Sequence, residues 1–471
     1  SIQYDMGSYE AASKTLVRLS NLRMDAGNLL RLAAAFYMQK DYAQALTYYE
    51  QALDHATRLV NTAEVISALT GAANCYYNQR DYDRALEFYN RSRETSERLN
   101  DKSGIATQLQ NIGNVHRARG DYGSALQSYF KSLEAAAAAR TTGTVANTLG
   151  SIGVVRSLQG DNVQAIEYFD KSLRAFEVSG DRVGIARLLS YIGNVKYILG
   201  KYDLALAAYQ RGVELHRSFA DRLNQAHLTI GIGTVYVSQK KYALALESYQ
   251  QALAIYETLG RRAETAEALT KLAAAHRLQG EHAKGLEFAN KALSLVHAAD
   301  HRAIRSLVLT EIGRLQRGLD HQNEALNAFN EAIRIRQSMR ADAASQDSET
   351  DVLPYLGAME VLVDQGNALE AFARSEDAKS ELLRQIINKG NFSVTKDMTA
   401  AEQKEEIKLL GDLRSLTLQL SSVQESRPHD TNRIKALTDR LTAARTAYES
   451  FRRSLYARHP HLRVYRGTLA P

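Results

Sequence analysis

A spacing of forty residues organises most of the chain. In one copy, Gly113 is followed twelve positions later by Ala125, and then by Tyr129, Ser132 and Leu133. The small residue recurs every forty residues as Ala33, Ala73, Gly113, Gly153, Gly193, Gly233, Ala273 and Gly313. The second marker recurs as Ala45, Ala85, Ala125, Ala165, Ala205, Ala245, Gly285 and Ala325. Eight copies of one frame predict stacked supersecondary units that pack only on their neighbours.

Each copy contains two helical patterns separated by a break. Residues 109–116 place their apolar side chains on one face of a first helix, and residues 122–133 do the same for a second helix. The Gly-Asp pair at 120–121 lies between them. Because Gly113 and Ala125 are small, we expect the two helices to approach closely there, and a larger residue would overpack the contact.

The markers resemble the tetratricopeptide repeat (TPR) pattern, with Gly113, Ala125, Tyr129 and Ser132 at its small, Ala, aromatic and small positions. The resemblance implies an all-α fold, a right-handed superhelix of helix-turn-helix repeats. The period exceeds the roughly 34 residues of the family, so we expect a longer second helix. The family's closing proline is absent from the array. Forty-residue repeats also resemble those of kinesin light chains and of the adaptor Pins/LGN, which implies binding of extended peptides.

The frame divides the chain into six segments. Residues 342–351 hold four acidic side chains and no basic one, which is typical of an exposed linker. Met359, Ala371 and Ala378 then mark a degenerate ninth repeat. The predicted segments are a partial N-terminal repeat (1–20), eight repeats (21–340), a linker (341–351), the ninth repeat (352–392), a helical hairpin (393–458) and an exit segment (459–471).

The C-terminal segment shows a different pattern. Thr399 to Glu402 matches a capping box, and apolar residues across 407–420 and 434–455 predict two helices that pack as an antiparallel hairpin. The hairpin, with residues 455–467, resembles the connector that joins repeats to a caspase-like, separase-like protease domain in bacterial TPR-CHAT proteins. The resemblance implies that the array is the sensor or regulatory arm of such a protease. Its partner would then be a protease domain in the same chain. The family's catalytic His and Cys lie beyond the connector, so none is assigned here.

The positive charge of the chain is concentrated at its C-terminus. Residues 427–471 hold ten Arg or Lys and three Asp or Glu, whereas the remaining residues hold 49 and 50. An array without excess positive charge argues against nucleic-acid binding along the repeats. The alternative function that remains open is a nucleic-acid-associated adaptor that acts through the basic hairpin.

The sequence offers little for catalysis. It has no metalloprotease, P-loop or nucleophile-elbow motif, and we expect no metal, no cofactor and no enzymatic activity from this chain. Cys75, the single cysteine, excludes an intrachain disulfide and falls on the inner face of a first helix, which predicts a buried thiol. No apolar run is long enough for a membrane span. These features favour a cytoplasmic location, and the absence of an initiating Met suggests a trimmed chain.

The candidate ligand-binding residues lie on the first helices, which line the concave groove in TPR proteins. Amides there offer a donor and an acceptor to a peptide backbone, and tyrosines offer rigid contact area. The alternative is that asparagine merely tolerates a partly exposed position or supports contacts between repeats. The predicted groove residues are Tyr37, Thr70, Asn74, Tyr77, Gln110, Asn114, Arg117, Arg187, Ser190, Asn194, Tyr197, Thr270, Arg277, Arg314 and Arg317.

Two features of this set predict how a ligand lies. Asn74, Asn114 and Asn194 occupy equivalent places, but Val154 interrupts their series. We expect these amides to bind a partner and to contribute little to stability. Arg187 and Arg277, with Arg314 and Arg317, predict a more basic C-terminal half of the groove, and hence a partner with acidic residues toward that end.

Overall fold

The structure is a computed structural model that describes residues 25–296, 301–341, 352–388, 431–458 and part of the segment 399–420. It divides into two compact units, one that extends to residue 378 and a second that begins at residue 379. The predicted partial repeat at 1–20, most of the linker at 341–351 and the exit segment at 459–471 lie outside the described residues. No helix in the described ranges combines the length and apolarity that a membrane span requires.

The first unit is a stack of helical hairpins, as predicted. Repeats one to four comprise α1 (Ala26–Met38), α2 (Tyr42–Arg58), α3 (Thr62–Asn78), α4 (Tyr82–Arg98), α5 (Lys102–Ala118), α6 (Tyr122–Ala138), α7 (Thr142–Leu158) and α8 (Asn162–Ser179). Repeats five to eight comprise α9 (Arg182–Ile198), α10 (Tyr202–Ser218), α11 (Arg222–Ser238), α12 (Tyr242–Thr258), α13 (Arg262–Leu278), α14 (His282–Leu295), α15 (Arg302–Gly318) and α16 (Gln322–Ala341). The ninth repeat comprises α17 (Leu353–Asp364) and α18 (Ala368–Asn388). The all-α solenoid is therefore confirmed.

The helix ends follow directly from the residues at the turns. The side chain of Asp121 accepts a hydrogen bond from the backbone N–H of Ser124 at 3.1 Å, and Asp81 caps α4 in the same way. Gly120 and Asn100 end their helices in the left-handed region, with φ of 79° and 54°. The predicted helix stops are confirmed at these positions. Both helices of repeats two and three contain 17 residues, so the extra length expected for the second helix is not confined to it.

The glycine of a first helix makes room for an aromatic ring of the second helix in repeats three to six and in repeat eight. A Cβ atom added to Gly193 would lie 2.4 Å from Cε1 of Tyr209, and one added to Gly113 would lie 2.5 Å from Cε1 of Tyr129. Both tyrosines are buried. The predicted close approach is therefore present, and the side chain that uses it is the aromatic residue of the same repeat.

The ninth repeat continues the stack. Tyr355 and Ala358 of α17 are buried in one cluster with Phe329 of repeat eight. Gly357 lies against the Phe329 ring, because a Cβ atom there would be 2.4 Å from Cε1. Gly231 contacts the ring of Tyr209 in an equivalent way. The same ring-on-glycine contact therefore joins neighbouring repeats at the centre and near the end of the array.

The second unit contains α19 (Thr431–Arg458) and helical residues between 402 and 420. The predicted capping box is present, since Thr399 Oγ1 accepts from the Glu402 N–H and Glu402 accepts from the Thr399 N–H. Leu416 packs with Leu437 and Leu441. Arg458, at the far end of α19, pairs with Glu402 at 2.7 Å. Early residues therefore meet late ones, which confirms the antiparallel hairpin.

Candidate functional site

A cleft of about 200 Å³ opens between the first helices α5, α7 and α9 of repeats three to five. We call it the central cleft. Its polar lining comes from Gln110, Asn114, Arg117, Asn147, Ser151, Arg187 and Tyr191. No acidic side chain of the described residues lines it. Four of the predicted groove residues, at 110, 114, 117 and 187, therefore meet in one place.

The two arginines of the central cleft have neutral neighbours. Arg187 donates from Nη2 to Oδ1 of Asn147 at 2.7 Å. Arg117 lies beside Tyr129, and its Nε is shielded from solvent without a hydrogen-bond partner among the described residues. Burial lowers the pKa of Arg117, but the neighbouring phenol of Tyr129 raises it, and the net change is a raised pKa. Neither guanidinium group has a carboxylate among the residues that line the cleft.

The floor of the central cleft is apolar. It is made by Val154 of α7, Phe176 of α8 and Leu188 of α9. Gly150 also lines the cleft, and a Cβ atom there would lie 3.2 Å from Oγ of the buried Ser172. The cleft thus presents hydrogen-bonding groups around an apolar patch, which is the usual chemistry of a ligand site.

The predicted asparagines are bonded to the second helices of their own repeats. Tyr129 donates to Asn114 Oδ1 at 2.8 Å, and Tyr209 donates to Asn194 Oδ1 at 2.6 Å. Tyr89 donates in the same way to Asn74. Burial raises the pKa of Tyr129 and of Tyr209 to about 12, so the phenols remain protonated donors. In these pairs the amide oxygen accepts the hydrogen bond of the tyrosine, and the two N–H groups of Nδ2 are not used in it.

The hydrogen bond between tyrosine and asparagine also explains why Val154 interrupts the asparagine series. Repeat four has Val154 at the asparagine position and Phe169 at the tyrosine position. Phe169 is fully buried and has no hydroxyl group to satisfy. In repeat six, Thr234 takes the place of asparagine and its hydroxyl lies 3.3 Å from Tyr249 Oη. In repeats two to six the polar residue therefore accompanies the phenol, which favours the structural alternative for these asparagines; repeat one, with Ala34 and Tyr49, does not follow this pattern.

The predicted groove tyrosines join adjacent helices. Each ring packs against a second tyrosine across the turn of its hairpin, as Tyr37–Tyr42, Tyr77–Tyr82 and Tyr197–Tyr202. Asn78 of the following repeat donates to Tyr37 Oη at 2.9 Å, and Tyr197 Oη lies 3.0 Å from Ser238 Oγ of the following repeat. All three rings are partly exposed, so they line the first-helix surface and link repeats at the same time.

The predicted hydroxyl residues are half-buried. Thr70 donates to the Ile66 carbonyl at 2.7 Å and accepts from Gln108 Nε2 of the next repeat at 3.0 Å. Thr270 donates to the Ala266 carbonyl at 2.7 Å. Ser190 lies on α9, outside the central cleft. Thr70 therefore serves a contact between repeats.

The predicted excess of positive charge in the C-terminal half of the groove is wrong for Arg277, Arg314 and Arg317, which have acidic partners, whereas Arg187 lines the central cleft. Arg277 pairs with Glu311 at 2.5 Å, and Arg314 lies 3.5 Å from the same carboxyl group. Arg317 pairs with Asp364 at 2.8 Å and with Glu360. Glu311 lies on the same helix as Arg314 and Arg317, whereas Glu360 and Asp364 lie on α17 of the ninth repeat. The predicted set did not include these acids.

Three polar residues that line the central cleft were not predicted from the sequence: Asn147, Ser151 and Tyr191. Asn147 lies forty residues before Arg187 in the same repeat position, so a comparison of equivalent positions could have found it. Ser151 and Tyr191 carry no such signal. Tyr191 enters the cleft while stacked on Phe169, with ring centroids 6.0 Å apart.

Cys75 is buried, as predicted. The side chain has no exposed surface. Burial raises the pKa of the thiol to about 12. At neutral pH the thiolate, which is the nucleophilic form, is therefore strongly disfavoured.

Comparison with known families agrees with the repeat frame. A family model described as tetratricopeptide repeat matches residues 25–98, 64–138, 104–177, 144–218, 184–258 and 264–338. These matches overlap and together span more than half of the chain. A search of curated proteins finds no match.

Solved structures with a similar fold include the apo form of the quorum sensor NprR from B. thuringiensis. It is 16% identical, with a TM-score of 0.51, over 65% of this chain and 86% of that one. Yeast Tom70 is 14% identical, with a TM-score of 0.43, over 85% of this chain and 96% of the other. RapI, in its apo form, is 21% identical, with a TM-score of 0.41, over 54% of this chain and 92% of the RapI chain.

Proposed function

Because the chain belongs to the tetratricopeptide repeat family, we propose that it is a protein-binding scaffold that binds an extended segment of a partner. The segment lies along the surface lined by the first helices, with the central cleft as its principal contact. Cysteine-dependent catalysis by this chain is not part of the proposal, since its one thiol is buried.

The observation that carries this proposal is the composition of the central cleft. Amides, hydroxyls and guanidinium groups surround an apolar floor, and three successive first helices contribute to it. A peptide backbone needs donors and acceptors along its length, and its side chains need apolar contact. Of the asparagines, Asn114 lines the cleft, and its Nδ2 donors are compatible with a peptide carbonyl.

Peptide selection with photo-crosslinking tests the proposal. A displayed library of twelve-residue peptides is selected on the purified full chain, and binders are resynthesised with a benzophenone side chain. We expect crosslinks on α5, α7 and α9. Crosslinks concentrated on α6, α8 and α10, or a selection that yields no binder, would contradict the proposal.

The finer proposal is that the scaffold is the regulatory arm of a CHAT-type protease. The resemblance of the C-terminal segment to the TPR-CHAT connector supports it, as does the exposure of Arg440 and Arg445 on α19. In a full-length protein the two side chains would contact the protease domain. Reversal of both charges is expected to change protease activity or partner binding, and no change in either would count against docking through this helix.

A further inference from the structure

Two guanidinium groups in the central cleft have no acidic partner. Neither Arg117 nor Arg187 forms an ion pair with a described residue, and no described Asp or Glu lines the cleft. The arginines at the C-terminal end of the groove differ, because Glu311, Glu360 and Asp364 neutralise them. Positive charge along the first helices is therefore uncompensated at the centre of the array, and clefts lined by one sign of charge attract the opposite sign.

The geometry of the two arginines suits an anionic group. One N–H of Arg187 is occupied by Asn147 Oδ1 at 2.7 Å, which orients the guanidinium group and leaves its other donors available. The Arg117 Nε is shielded from solvent and unpartnered. A carboxylate matches guanidinium in charge and in its paired oxygens.

The apolar floor adds a second requirement. Val154, Phe176 and Leu188 lie beside the arginines in the same cleft. A free inorganic anion would leave this surface uncovered, whereas a peptide side chain can cover it. The favoured ligand therefore carries a negative charge next to an apolar group.

We propose that the central cleft binds an acidic side chain of a partner peptide together with an adjacent Leu, Ile or Phe. Arg117 and Arg187 bind the carboxylate, and the apolar neighbour covers the floor. This inference rests on the proposed function and adds the chemistry of the partner. It places the acidic residue at the centre of the groove and not at its C-terminal end.

Two matched sets of ten-residue peptides test the inference. One set carries Asp or Glu beside Leu, Ile or Phe, the other carries Asn or Gln at the same place, and all have amidated C-termini. Binding to the full chain is followed by fluorescence anisotropy. We expect the acidic set to bind about tenfold to a hundredfold more tightly, as for charge-assisted hydrogen bonds. Arg187→Gln should remove most of this preference.

A control variant and a second peptide form make the outcome decisive. Arg174 is exposed on α8, so Arg174→Gln makes the same charge change outside the cleft and should keep the preference. Since Arg187 is exposed, its replacement should leave the fold intact, which a thermal melt verifies. The same peptides are also measured with free C-termini. If the acidic peptides bind more tightly only in that form, the assignment of the bound carboxylate to a side chain is overturned.

The outcomes distinguish failure of this inference from failure of the proposed scaffold function. Equal binding of the acidic and neutral sets, or a preference that survives Arg187→Gln, overturns the inference and leaves the scaffold function standing. Absence of binding by both sets contradicts the scaffold function as well.

Discussion

Tyr129 donates its phenolic hydrogen to Asn114 Oδ1 at 2.8 Å and so joins the two helices of repeat three. The tyrosine is fully buried, while the asparagine is partly exposed in the central cleft. Asn114 therefore has two roles, since its oxygen satisfies a buried phenol and its amide nitrogen is available to a ligand. The expectation that such residues contribute little to stability does not hold for this geometry.

Removal of the asparagine should destabilise the array. Asn114→Ala leaves the buried Tyr129 hydroxyl without its acceptor, and we expect the free energy of unfolding to fall by about 1–3 kcal/mol. The double variant Asn114→Val with Tyr129→Phe copies the Val154–Phe169 pair of repeat four and should recover most of the loss. Urea denaturation measures the stability of Asn114→Ala and of the double variant. A double variant that is no more stable than Asn114→Ala would show that the two side chains do not interact.

Enlargement of the small residue should be costly. In Gly193→Leu the new Cβ atom would lie 2.4 Å from the Tyr209 ring, so the ring or the helix must move. We expect a loss of about 1–3 kcal/mol. Lys171→Ala, at an exposed position on α8, should change stability by less than about 0.5 kcal/mol. Equal effects in denaturant melts would disprove the packing argument.

The buried phenols should make the array sensitive to alkaline pH. Burial raises the pKa of Tyr129 from 10.0 to about 12, so the folded state holds this proton more tightly than the unfolded state does. The stability from this group is complete below pH 10 and is lost as pH rises through 12. The melting temperature should therefore fall in this window, and Tyr129→Phe should reduce the fall. An identical pH profile for the variant would refute the assignment.

The thiol of Cys75 should react slowly. It is fully buried, and its pKa is raised to about 12 by burial. We expect iodoacetamide at pH 8 to label the native chain far more slowly than the chain unfolded in urea, because alkylation requires an exposed thiolate. Comparable labelling rates in the two states would place Cys75 at the surface.

Much of the fold could be predicted because it depends on local signals. Asp is the N-cap of many helices, as at Asp81 and Asp121, and Gly or Asn takes the left-handed position at many helix ends, as at Gly120 and Asn100. The hairpin at the C-terminus followed in the same way from its capping box and apolar spacing. The structure shows the predicted reciprocal hydrogen bonds between Thr399 and Glu402.

The site was less predictable because it depends on contacts between helices. Position alone placed Asn114, Arg117 and Arg187 on the first helices, and they meet in the central cleft. It did not show that Glu311 would neutralise Arg277, because that acid comes from the next first helix. The role of the asparagines could have been found, since Val154 and Phe169 change together within the repeats.

The central claim, that the central cleft binds the partner, is tested most directly by one bulky substitution made at two places in repeat four. Val154 lies on the floor of the cleft, whereas Val163 is 66% exposed on α8. The affinity of a selected peptide is measured by calorimetry for Val154→Trp and Val163→Trp, after melts verify that both fold. The account predicts about tenfold or greater weakening for Val154→Trp, equivalent to at least 1.4 kcal/mol, and unchanged affinity for Val163→Trp. Unchanged affinity for a folded Val154→Trp would contradict the claim.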